Sequence, residues 1–484
     1  EKDVNSQLTK VINVNLSNPM KPLLSIYFRN KFTINQRFYI ENIKWGLKEN
    51  TFYHDSINKL LYIYPPMIYK NYTSFNVIVP ILDKLIEIKN TKNIIIKDIT
   101  FLDTTYYADG FWDGPSKQPS DATIHINNST NITLHKLNFL DSITGHGIAI
   151  GNSSNNVNIS HCLFDNIGQG GVTAYGYDHS PVDSQTGTVY GNNTQPHNII
   201  VTNCVMNNIG KILVHIAGIT LRAASYCLIS HNRITNTPRY GIQADSFYVG
   251  INNNSFNSRF NIIEFNILKN TSKLTTDTGA IEMLGSGDPA TDSPTKNDNG
   301  WYTGNIIRYN NISNTIGSSS SNGKDVCVHG IPDEDCRRLV WGIYLDGGQS
   351  GILVKSNIIE ASLHGAIMDN AGGNNTHINN IFIGEDDSSI LMDFGTSGKS
   401  KSKPNTSREI IGSIVKNNIF VFKSNKTLAL SSQVNWEINE LKTNGSDFNL
   451  FYYQNNSLLK SLNIFPNNSN ITKWNINYNM DIHS

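Results

Sequence analysis

"ISHCLFDNIG" (Ile159–Gly168), "VTNCVMNNIG" (Val201–Gly210) and "ISHNRITNTP" (Ile229–Pro238) are three copies of one short repeat. Each copy has apolar residues at its first and sixth positions and a small or polar residue at its fourth, which is cysteine in the first two copies and asparagine in the third. Related segments begin at Ile263, Ile307, His377 and Ile414. A strand this short cannot bury a face alone and must stack on its neighbours, so the repeat predicts a solenoid.

A second series of strand signals carries a glycine, as in "AGITLRA", "YGIQADS" and "WGIYLDG". Two short strands per unit, at spacings from 23 residues upward, predict coils that stack in parallel about 4.8 Å apart. We therefore predict an all-β, right-handed parallel β-helix with long corner loops. An antiparallel sandwich is the alternative, but hairpin signals such as Asn-Gly are scarce. Polar residues in register can hydrogen-bond along such a stack, and the alignment predicts a ladder of Cys162, Cys204, Asn232, Asn266, Asn310, Asn379 and Asn417.

The chain divides into three predicted regions. Residues 1–80 form an N-terminal β module or cap, which contains an aromatic hairpin at Phe52–Pro66. Residues 81–450 form the β-helix, and 451–484 form a C-terminal extension. A cap shields an open coil that would otherwise invite strand addition.

Composition excludes several classes of protein. The formal net charge is zero and 16% of residues are charged, so the chain has no electrostatic footprint for nucleic acid. No apolar stretch reaches the length of a membrane span. Eighteen N-x-[ST] sequons favour a secreted, extracellular glycoprotein. The sequons singled out as glycosylation sites are Asn71, Asn131, Asn158, Asn270, Asn311, Asn374 and Asn425.

The five cysteines fit that compartment. Cys327 and Cys336 bracket the polar segment "CVHGIPDEDC" and are the predicted disulfide. The three other cysteines, Cys162, Cys204 and Cys227, are predicted to be small buried residues.

Alternation along the glycine-containing strands predicts an outward polar strip. If Ile343 and Leu345 point inward, Tyr344 and Asp346 point outward. The same phase, with Asp369 taken as the residue one coil after Asp346, gives a strip of Arg222, Asp245, Glu282, Tyr344, Asp346 and Asp369, with Asp277 at its margin.

Paired carboxylates at these spacings suit glycoside hydrolysis. That reaction uses two carboxyl groups about 5 to 5.5 Å apart for retention or about 6.5 to 9.5 Å apart for inversion, and stacked coils offer both separations. Glu282 is a second candidate acid. Tyr344 and Tyr175 could stack on a sugar ring, and Arg222 could bind a hydroxyl or a carboxylate. An aspartate before glycine also ends strands as an ordinary turn residue, so this reading stays open for Asp346.

Three segments resemble glycoside hydrolase family 141. These are Glu49–Pro66 ("ENTFYHDSINKLLYIYPP"), Asp277–Gly285 ("DTGAIEMLG") and Trp341–Ile359 ("WGIYLDGGQSGILVKSNII"). The resemblance implies a β-helix that acts on plant or microbial polysaccharides, with Asp277 and Asp346 as its catalytic carboxylates. It also implies further chain on both sides of the printed sequence. Two positions depart from the family pattern: Gly347, where an acid is frequent, and "MDN" from Met368 in place of a His-rich turn.

Three functions are compatible with these features. The first is a secreted glycoside hydrolase acting on a complex polysaccharide. The second is a catalytically inactive, N-glycosylated β-helix that self-associates in an extracellular fibre, coat or adhesion surface. The third is a polysaccharide lyase, for which calcium would be the expected cofactor; otherwise no cofactor or metal is predicted, since CxxC, HExxH and P-loop motifs are absent.

Overall fold

The structure is a computed structural model. It describes residues 10–13, 43–65, 78–105, 122–141, 145–176, 195–246, 258–275, 277–285, 303–317, 340–360, 364–370, 372–384, 390–395, 412–423, 427–430, 445–454, 465 and 469–484. The chain divides into an N-terminal unit that extends to Val79 and a second unit that begins at Pro80. Among the described residues, no helix is long and apolar enough to span a membrane.

The N-terminal unit contains a three-stranded antiparallel sheet and one short 3₁₀ helix. Its elements are β1 (Lys10–Asn13), the 3₁₀ helix Lys44–Gly46, β2 (Thr51–Asp55) and β3 (Leu60–Tyr64), and the sheet order is β1-β3-β2. The β2–β3 hairpin is the aromatic hairpin of the sequence analysis. Its turn begins at Asp55, whose Oδ1 accepts hydrogen bonds from the backbone N–H groups of Ile57 and Asn58, and this arrangement is typical of a turn-forming aspartate.

The second unit is a parallel β-helix, as predicted. Three sheets of eleven strands run along it, and every strand pair within them is parallel. Strands are numbered along the chain, and each complete coil contributes one strand to each sheet. The first sheet consists of β4 (Ile86–Lys89), β7 (Ala122–Asn127), β10 (His146–Gly151), β13 (Val172–Tyr175), β16 (Ala217–Arg222), β19 (Tyr240–Ser246), β22 (Thr278–Gly285), β25 (Val340–Asp346), β28 (Gly365–Asn370), β31 (Ile390–Gly395) and β34 (Leu428–Leu430).

The other two sheets complete the coils. The second sheet consists of β5 (Lys92–Lys97), β8 (Thr130–His135), β11 (Asn155–Ser160), β14 (His197–Thr202), β17 (Leu228–Ser230), β20 (Ile262–Glu264), β23 (Ile306–Arg308), β26 (Leu353–Lys355), β29 (Thr376–Ile378), β32 (Ile414–Lys416) and β35 (Gly445–Asp447). The third sheet consists of β6 (Thr100–Phe101), β9 (Asn138–Leu140), β12 (Leu163–Asp165), β15 (Val205–Asn207), β18 (Arg233–Thr235), β21 (Ile267–Lys269), β24 (Asn311–Ser313), β27 (Ile358–Glu360), β30 (Ile381–Ile383), β33 (Ile419–Phe422) and β36 (Leu450–Tyr453).

A buried asparagine ladder runs along the corner between the second and third sheets. The Nδ2 of Asn266 donates to Asn310 Oδ1 at 3.0 Å, and the backbone N–H of Asn266 donates to the same oxygen at 3.0 Å. Each rung thereby satisfies the polar groups of its neighbour inside the core. The continuous series is Asn232, Asn266, Asn310, Asn357, Asn380, Asn418 and Asn449.

The predicted ladder was correct in kind and wrong at two rungs. Asn379 and Asn417 are exposed turn residues with φ of 58° and 56°, and the residues that follow them occupy the ladder. Where two asparagines are adjacent, the repeat pattern does not distinguish the buried one from the one that adopts the left-handed turn conformation. At the upstream rungs the ladder contains Cys162 and Cys204, whose contact is a 3.4 Å hydrogen bond from Cys162 N to Cys204 Sγ.

The C-terminal segment closes the end of the ladder. Helix α1 (Ile471–Tyr478) is capped by Asn470, whose side chain accepts from Lys473 N. The buried indole of Trp474 stacks on Phe465 at 5.0 Å and donates to Asp481 Oδ2 at 3.0 Å. Asn449, the last ladder rung, donates to the other Asp481 oxygen at 2.8 Å. The Asp481 carboxylate therefore accepts the hydrogen bond that the side-chain amide of a further ladder asparagine would accept.

Candidate active site

A small residue in each of several coils of the first sheet turns toward the core. It is glycine at Gly241 and Gly342, whereas Gly279 and Gly365 pair in register with Trp341 and leave the inward position to Ala280 and Ala366. A Cβ on Gly241 would lie 2.4 Å from Leu268 Cδ2, and a Cβ on Gly342 would lie 2.3 Å from Ile359 Cγ2. The isoleucine after the inward small residue, such as Ile343 after Gly342, also belongs to the core. Two successive inward residues reset the alternation, so the residue before the inward small residue and the residue after the isoleucine both face outward.

The register of the first sheet aligns the outward side chains of successive coils in columns. The middle column is Thr220, Gln243, Glu282, Tyr344 and Met368. The outer column is Tyr175, Arg222, Asp245, Leu284 and Asp346. The inward residues between the columns, such as Leu221 and Leu345, are core residues. Six residues of the sequence analysis thus share one face, which we call the outward face: Tyr175, Arg222, Asp245, Glu282, Tyr344 and Asp346.

Asp369 does not belong to this face, and its predicted outward placement is wrong. It pairs in register with the core residue Leu345, is fully buried, and accepts a hydrogen bond from Asn375 Nδ2 at 2.9 Å. His377 Nε2 lies 3.4 Å from the same carboxylate oxygen. The residue beside Asp346 on the next coil is Asn370, so the motif was aligned one position off. A one-residue slip in a strand exchanges the two faces.

Arg222 and Asp245 form a buried ion pair on neighbouring coils. Arg222 Nη2 lies 3.2 Å from Asp245 Oδ2, and the guanidinium carbon lies 5.5 Å from the centre of the Tyr175 ring. The arginine side chain keeps 18% of its surface exposed, whereas that of Asp245 is fully buried. Burial raises the pKa of Asp245 to about 6, although the Arg222 guanidinium lowers it. Of the pair, Arg222 is therefore the member that a ligand can reach.

Glu282 is a buried carboxyl group at the centre of the outward face. Only 2% of the residue is exposed, and its Oε2 has no hydrogen-bond partner among the described residues. Burial raises the pKa of Glu282 well above its ordinary value, and the charges of Asp346, Asp245 and Asp277 raise it further. Arg239 acts in the opposite direction. The surroundings of Glu282 therefore favour the protonated form of its side chain.

Asp346 closes β25 and also faces the same group of carboxyls. Its Oδ1 accepts hydrogen bonds at 2.7 Å from both the backbone N–H of Gly347 and Asn370 Nδ2. Gly347 and Gly348 have φ of 63° and 84°, so the turn requires glycine there. Burial raises the pKa of Asp346 and the Asn370 hydrogen bond lowers it, with the charge of Asp277 raising it again. The residue is thus both a turn former and a member of the site.

Asp277 and Tyr344 connect the margin of the site to its centre. The Tyr344 hydroxyl donates to Asp277 Oδ1 at 3.3 Å, and the charge of Asp346 acts on the same hydroxyl. Burial, followed by the charges of Asp346, Asp277 and Glu282, holds the pKa of Tyr344 well above its usual range. The hydroxyl therefore remains a neutral donor to Asp277.

The sequence analysis missed a group of three residues at the upstream end of the face. Tyr240 stands before a recurring glycine, and its hydroxyl lies 3.4 Å from His215 Nε2. The guanidinium carbon of Arg239 lies 4.6 Å from the centre of the Tyr240 ring, and its Nη2 donates to the backbone oxygen of Asp277 at 2.6 Å. The outward position before each glycine was the available signal for Tyr240.

An aromatic group borders the site downstream. Trp341, Tyr344 and Met368 form a small buried cluster outside the main core. The Trp341 ring lies 4.7 Å from that of Tyr344 and 4.8 Å, edge to face, from that of His364. His364 Nε2 in turn lies 3.1 Å from Asp393 Oδ2. The Trp341 ring thus packs against Tyr344 and is itself held by His364.

The remaining predictions fall outside the site. Among the described residues, no cluster of three or more His, Cys, Asp or Glu side chains has the arrangement of a metal site, and calcium stays an untested prediction. Cys327, Cys336, Asn71 and Asn425 lie outside the described residues, while Cys162, Cys204 and Cys227 are buried and free.

The other five predicted glycosylation sites lie away from the first sheet. They lie on strands of the second and third sheets or at the corners beside them, and they are Asn131, Asn158, Asn270, Asn311 and Asn374. Glycans at these five positions would not originate on the strands that carry the candidate site.

No protein-family description matches the chain, and no curated protein matches it. Among solved structures, the A-module of the mannuronan C-5 epimerase AlgE4 of Azotobacter vinelandii is similar, with a TM-score of 0.43, 9% identity and coverage of 70% of this chain and 75% of that chain. An alginate lyase of Paenibacillus sp. str. FPU-7 has a TM-score of 0.39 and 12% identity, covering 67% of this chain and 91% of that chain.

A surface adhesin of Streptococcus pneumoniae, PfbA, has a TM-score of 0.34 and 13% identity, covering 64% of this chain and 63% of that chain. At these identities the similarity concerns the fold alone. The assignment of a parallel β-helix rests on the strand pairing itself, and membership of glycoside hydrolase family 141 stays a prediction.

Proposed function

We propose that this chain is a carbohydrate-active protein, and specifically a glycoside hydrolase that uses Glu282 and Asp346. The observation that carries the proposal is the pair of buried carboxyl groups on adjacent strands of the outward face. Glu282 is opposite Tyr344 in register, and Asp346 is two residues further along the same strand. The two backbone positions are therefore about 8 Å apart, from roughly 3.3 Å per residue and about 4.8 Å per strand.

Glu282 is the proposed general acid. Its burial and three neighbouring carboxylates favour the protonated form, which is the state needed to protonate a leaving oxygen. Asp346 is the proposed general base, since Gly347 N–H and Asn370 both donate to its carboxylate. Backbone positions about 8 Å apart are compatible with carboxyl groups far enough apart to admit a water molecule between them, so we propose inversion of configuration.

The family resemblance predicts Asp277 as a catalytic carboxylate together with Asp346. This pair is the competing assignment to Glu282 with Asp346. Asp277 accepts from the Tyr344 hydroxyl, and its charge raises the pKa of Asp346, so these two carboxyls also interact. Under the inverting assignment, Asp277 instead orients Tyr344. A hydrolysis product of inverted anomeric configuration, read by proton NMR early in the reaction, favours Glu282 with Asp346. A product of retained configuration favours two carboxyl groups that lie closer together, and so favours Asp277 with Asp346.

A polysaccharide lyase is the second candidate, on one specific observation. The His215 imidazole is hydrogen-bonded to the Tyr240 hydroxyl, and Arg239 packs against the same tyrosine. A neutral imidazole, a phenol and a guanidinium are groups that can remove a proton beside a sugar carboxylate and return one to the leaving oxygen. An unsaturated product, detected by its ultraviolet absorbance, would identify this reaction.

The test is a screen of purified protein on xylan-type, fucosylated and uronate-containing polysaccharides, with Glu282→Gln and Asp346→Asn measured beside the natural chain. Glu87→Gln is the matched control, because Glu87 is an exposed residue on β4 of the same sheet. Loss of turnover in both site variants but not in the control supports the hydrolase. Full turnover in both site variants overturns the assignment.

No turnover on any glycan, together with filaments in electron micrographs, favours a structural protein. Secretion, glycosylation and self-association stay predictions.

A further inference from the structure

Cys162 and Cys204 occupy neighbouring rungs of the ladder at the corner between the second and third sheets. The residue pairs in register on either side of them are Ser160 with Thr202 and Leu163 with Val205. The two cysteines are therefore directly opposite each other on adjacent coils. The backbone N–H of Cys162 donates to Cys204 Sγ at 3.4 Å, so the sulfur of one coil lies against the backbone of the other.

We infer that these two thiols form a disulfide bond between adjacent coils when the chain folds in an oxidising medium. The bond is a covalent cross-link inside the ladder, and it does not depend on the proposed glycan function. It is also distinct from the disulfide predicted between Cys327 and Cys336.

The spacing of the coils suits a disulfide. Neighbouring parallel strands lie about 4.8 Å apart, and the Cα atoms of disulfide-bonded cysteines are usually about 4.4 to 6.8 Å apart. The two side chains also leave the backbone in the same direction. Each sulfur lies 3.4 Å from the carbonyl oxygen two residues before it and 3.9 Å from a carbonyl oxygen of the preceding coil. Rotation of the two sulfurs toward each other forms the bond and leaves the pairing of the coils in place.

The ladder is weakly hydrogen-bonded at these two rungs. One coil downstream, Asn232 Nδ2 donates to the backbone oxygen of Val201 at 2.9 Å. Cys204 Sγ lies 3.9 Å from the matching oxygen of Ile159, and a thiol is a weaker donor than an amide. The sulfur rungs thus lack the short side-chain hydrogen bonds that connect the asparagine rungs to the preceding coil. A covalent bond between the coils takes over that role.

Both thiols are buried, with 2% of Cys162 and 1% of Cys204 exposed. The hydrogen bond with Cys162, and then burial, raises the pKa of the Cys204 thiol well above its ordinary value. A thiol that stays protonated and away from solvent does not exchange with a soluble disulfide. The bond therefore forms while the coils assemble, and the finished fold protects it from reductants.

Glutathione disulfide is the oxidant of the proposed step. The thiolate of one cysteine attacks it, which forms a mixed disulfide and releases one glutathione thiolate. The thiolate of the second cysteine attacks the protein sulfur of the mixed disulfide, so that the Sγ–Sγ bond forms and the second glutathione leaves. Two protein thiols are oxidised, one glutathione disulfide is reduced to two glutathione molecules, and the two protons of the protein thiols pass to the leaving thiolates.

The test is refolding of the whole chain, once with reduced and oxidised glutathione together and once with reduced glutathione alone. Free thiols are then alkylated in denaturant, and the digested chain is mapped by mass spectrometry. We expect a cross-linked peptide that joins Cys162 to Cys204 in the oxidised sample only. Free Cys162 and Cys204 in the oxidised sample, or a bond from either one to another cysteine, would overturn the inference.

Cys227 is the matched internal control and should be alkylated in both samples. It is buried to the same extent as Cys162, but its backbone N–H donates to Asn261 Oδ1 of the next coil at 2.9 Å, and no sulfur takes that place.

Melting temperature gives a second readout, in a Cys327→Ser and Cys336→Ser background that keeps the three other cysteines. The oxidised chain should melt a few degrees higher than the reduced chain, because the cross-link restricts the unfolded state. Cys204→Asn, which places the usual ladder residue at this rung, should abolish the difference, and Cys227→Asn should retain it. A difference that persists in Cys204→Asn would contradict the assignment. If a variant fails to fold, the peptide map of the natural chain still decides.

Discussion

Tyr344 donates its hydroxyl to Asp277 at 3.3 Å, although 67 residues separate them along the chain. The contact is possible because β22 and β25 are neighbours in the first sheet. The charge of Asp346 also raises the pKa of this hydroxyl, so one phenol interacts with carboxyl groups from two coils. Removal of this single oxygen therefore tests whether the arrangement matters for function.

Tyr344→Phe should lower kcat about tenfold to a hundredfold, because a hydrogen bond to a charged group contributes roughly 1.5 to 3 kcal/mol. The ring and its packing against Trp341 are retained, so the melting temperature should change little. Tyr226→Phe, at an exposed tyrosine, is the control. Activity equal to that of the natural chain would show that the hydroxyl has no role in turnover.

The rate should depend on pH with two limbs. Hydrolysis requires protonated Glu282 and ionised Asp346, so activity falls above the pKa of the first and below the pKa of the second. Burial raises the pKa of both groups, and both limbs should therefore lie at higher pH than for free carboxyls.

Glu282→Gln should remove the alkaline limb and lower the rate on a natural glycan about 10²- to 10⁴-fold. An aryl glycoside with a good leaving group needs no acid and should retain more activity. Asp346→Asn should instead remove the acidic limb. A pH profile of kcat/KM decides, and an unaltered alkaline limb in Glu282→Gln would assign the acid to another residue.

The asparagine ladder should carry measurable stability. Asn310→Ala removes the acceptor of Asn266 N and Nδ2 and the donor to Asn357. Buried polar groups left without partners cost about 1 to 3 kcal/mol each, so the free energy of unfolding should fall by about 2 to 5 kcal/mol.

The neighbouring Asn311→Ala is the control for the ladder, since Asn311 is exposed, and it should change stability by less than about 0.5 kcal/mol. Urea denaturation of both variants provides the comparison. Equal midpoints would show that the ladder fixes register without adding stability.

The inward glycine should not tolerate a methyl group. In Gly342→Ala the new Cβ would lie 2.3 Å from Ile359 Cγ2 and 2.9 Å from the Ala366 backbone oxygen. Overpacking of this kind costs about 1 to 3 kcal/mol. The shift should also move Tyr344 and reduce activity.

Gly445→Ala is the control for this substitution, because a Cβ there would have no atom within 4 Å. It should leave stability unchanged or raise it by about 0.5 kcal/mol, since alanine restricts the unfolded chain more than glycine does. Similar thermal stability of the two variants would contradict the inward orientation of Gly342.

Sequence periodicity determined the fold and most of the outward face. The fourth-position residue of the repeat is set by local geometry, because a β-helix corner imposes the same requirement on successive coils. The recurring glycine marks the strands of the first sheet, but it shifts by one position at Gly279 and Gly365. The outward placement of Arg222, Asp245 and Glu282 followed from alternation alone.

Register and long-range contact were decided only by the tertiary structure. Asp369 and Asn370 are adjacent, and nothing in the pattern "MDN" indicates which of them faces the core. The pairing of Leu345 with Asp369 decides it. Likewise, His215 and Arg239 approach Tyr240 from segments outside the strand cores, where no period applies. A repeat specifies which face a residue belongs to, whereas the packing of coils specifies which residues meet there.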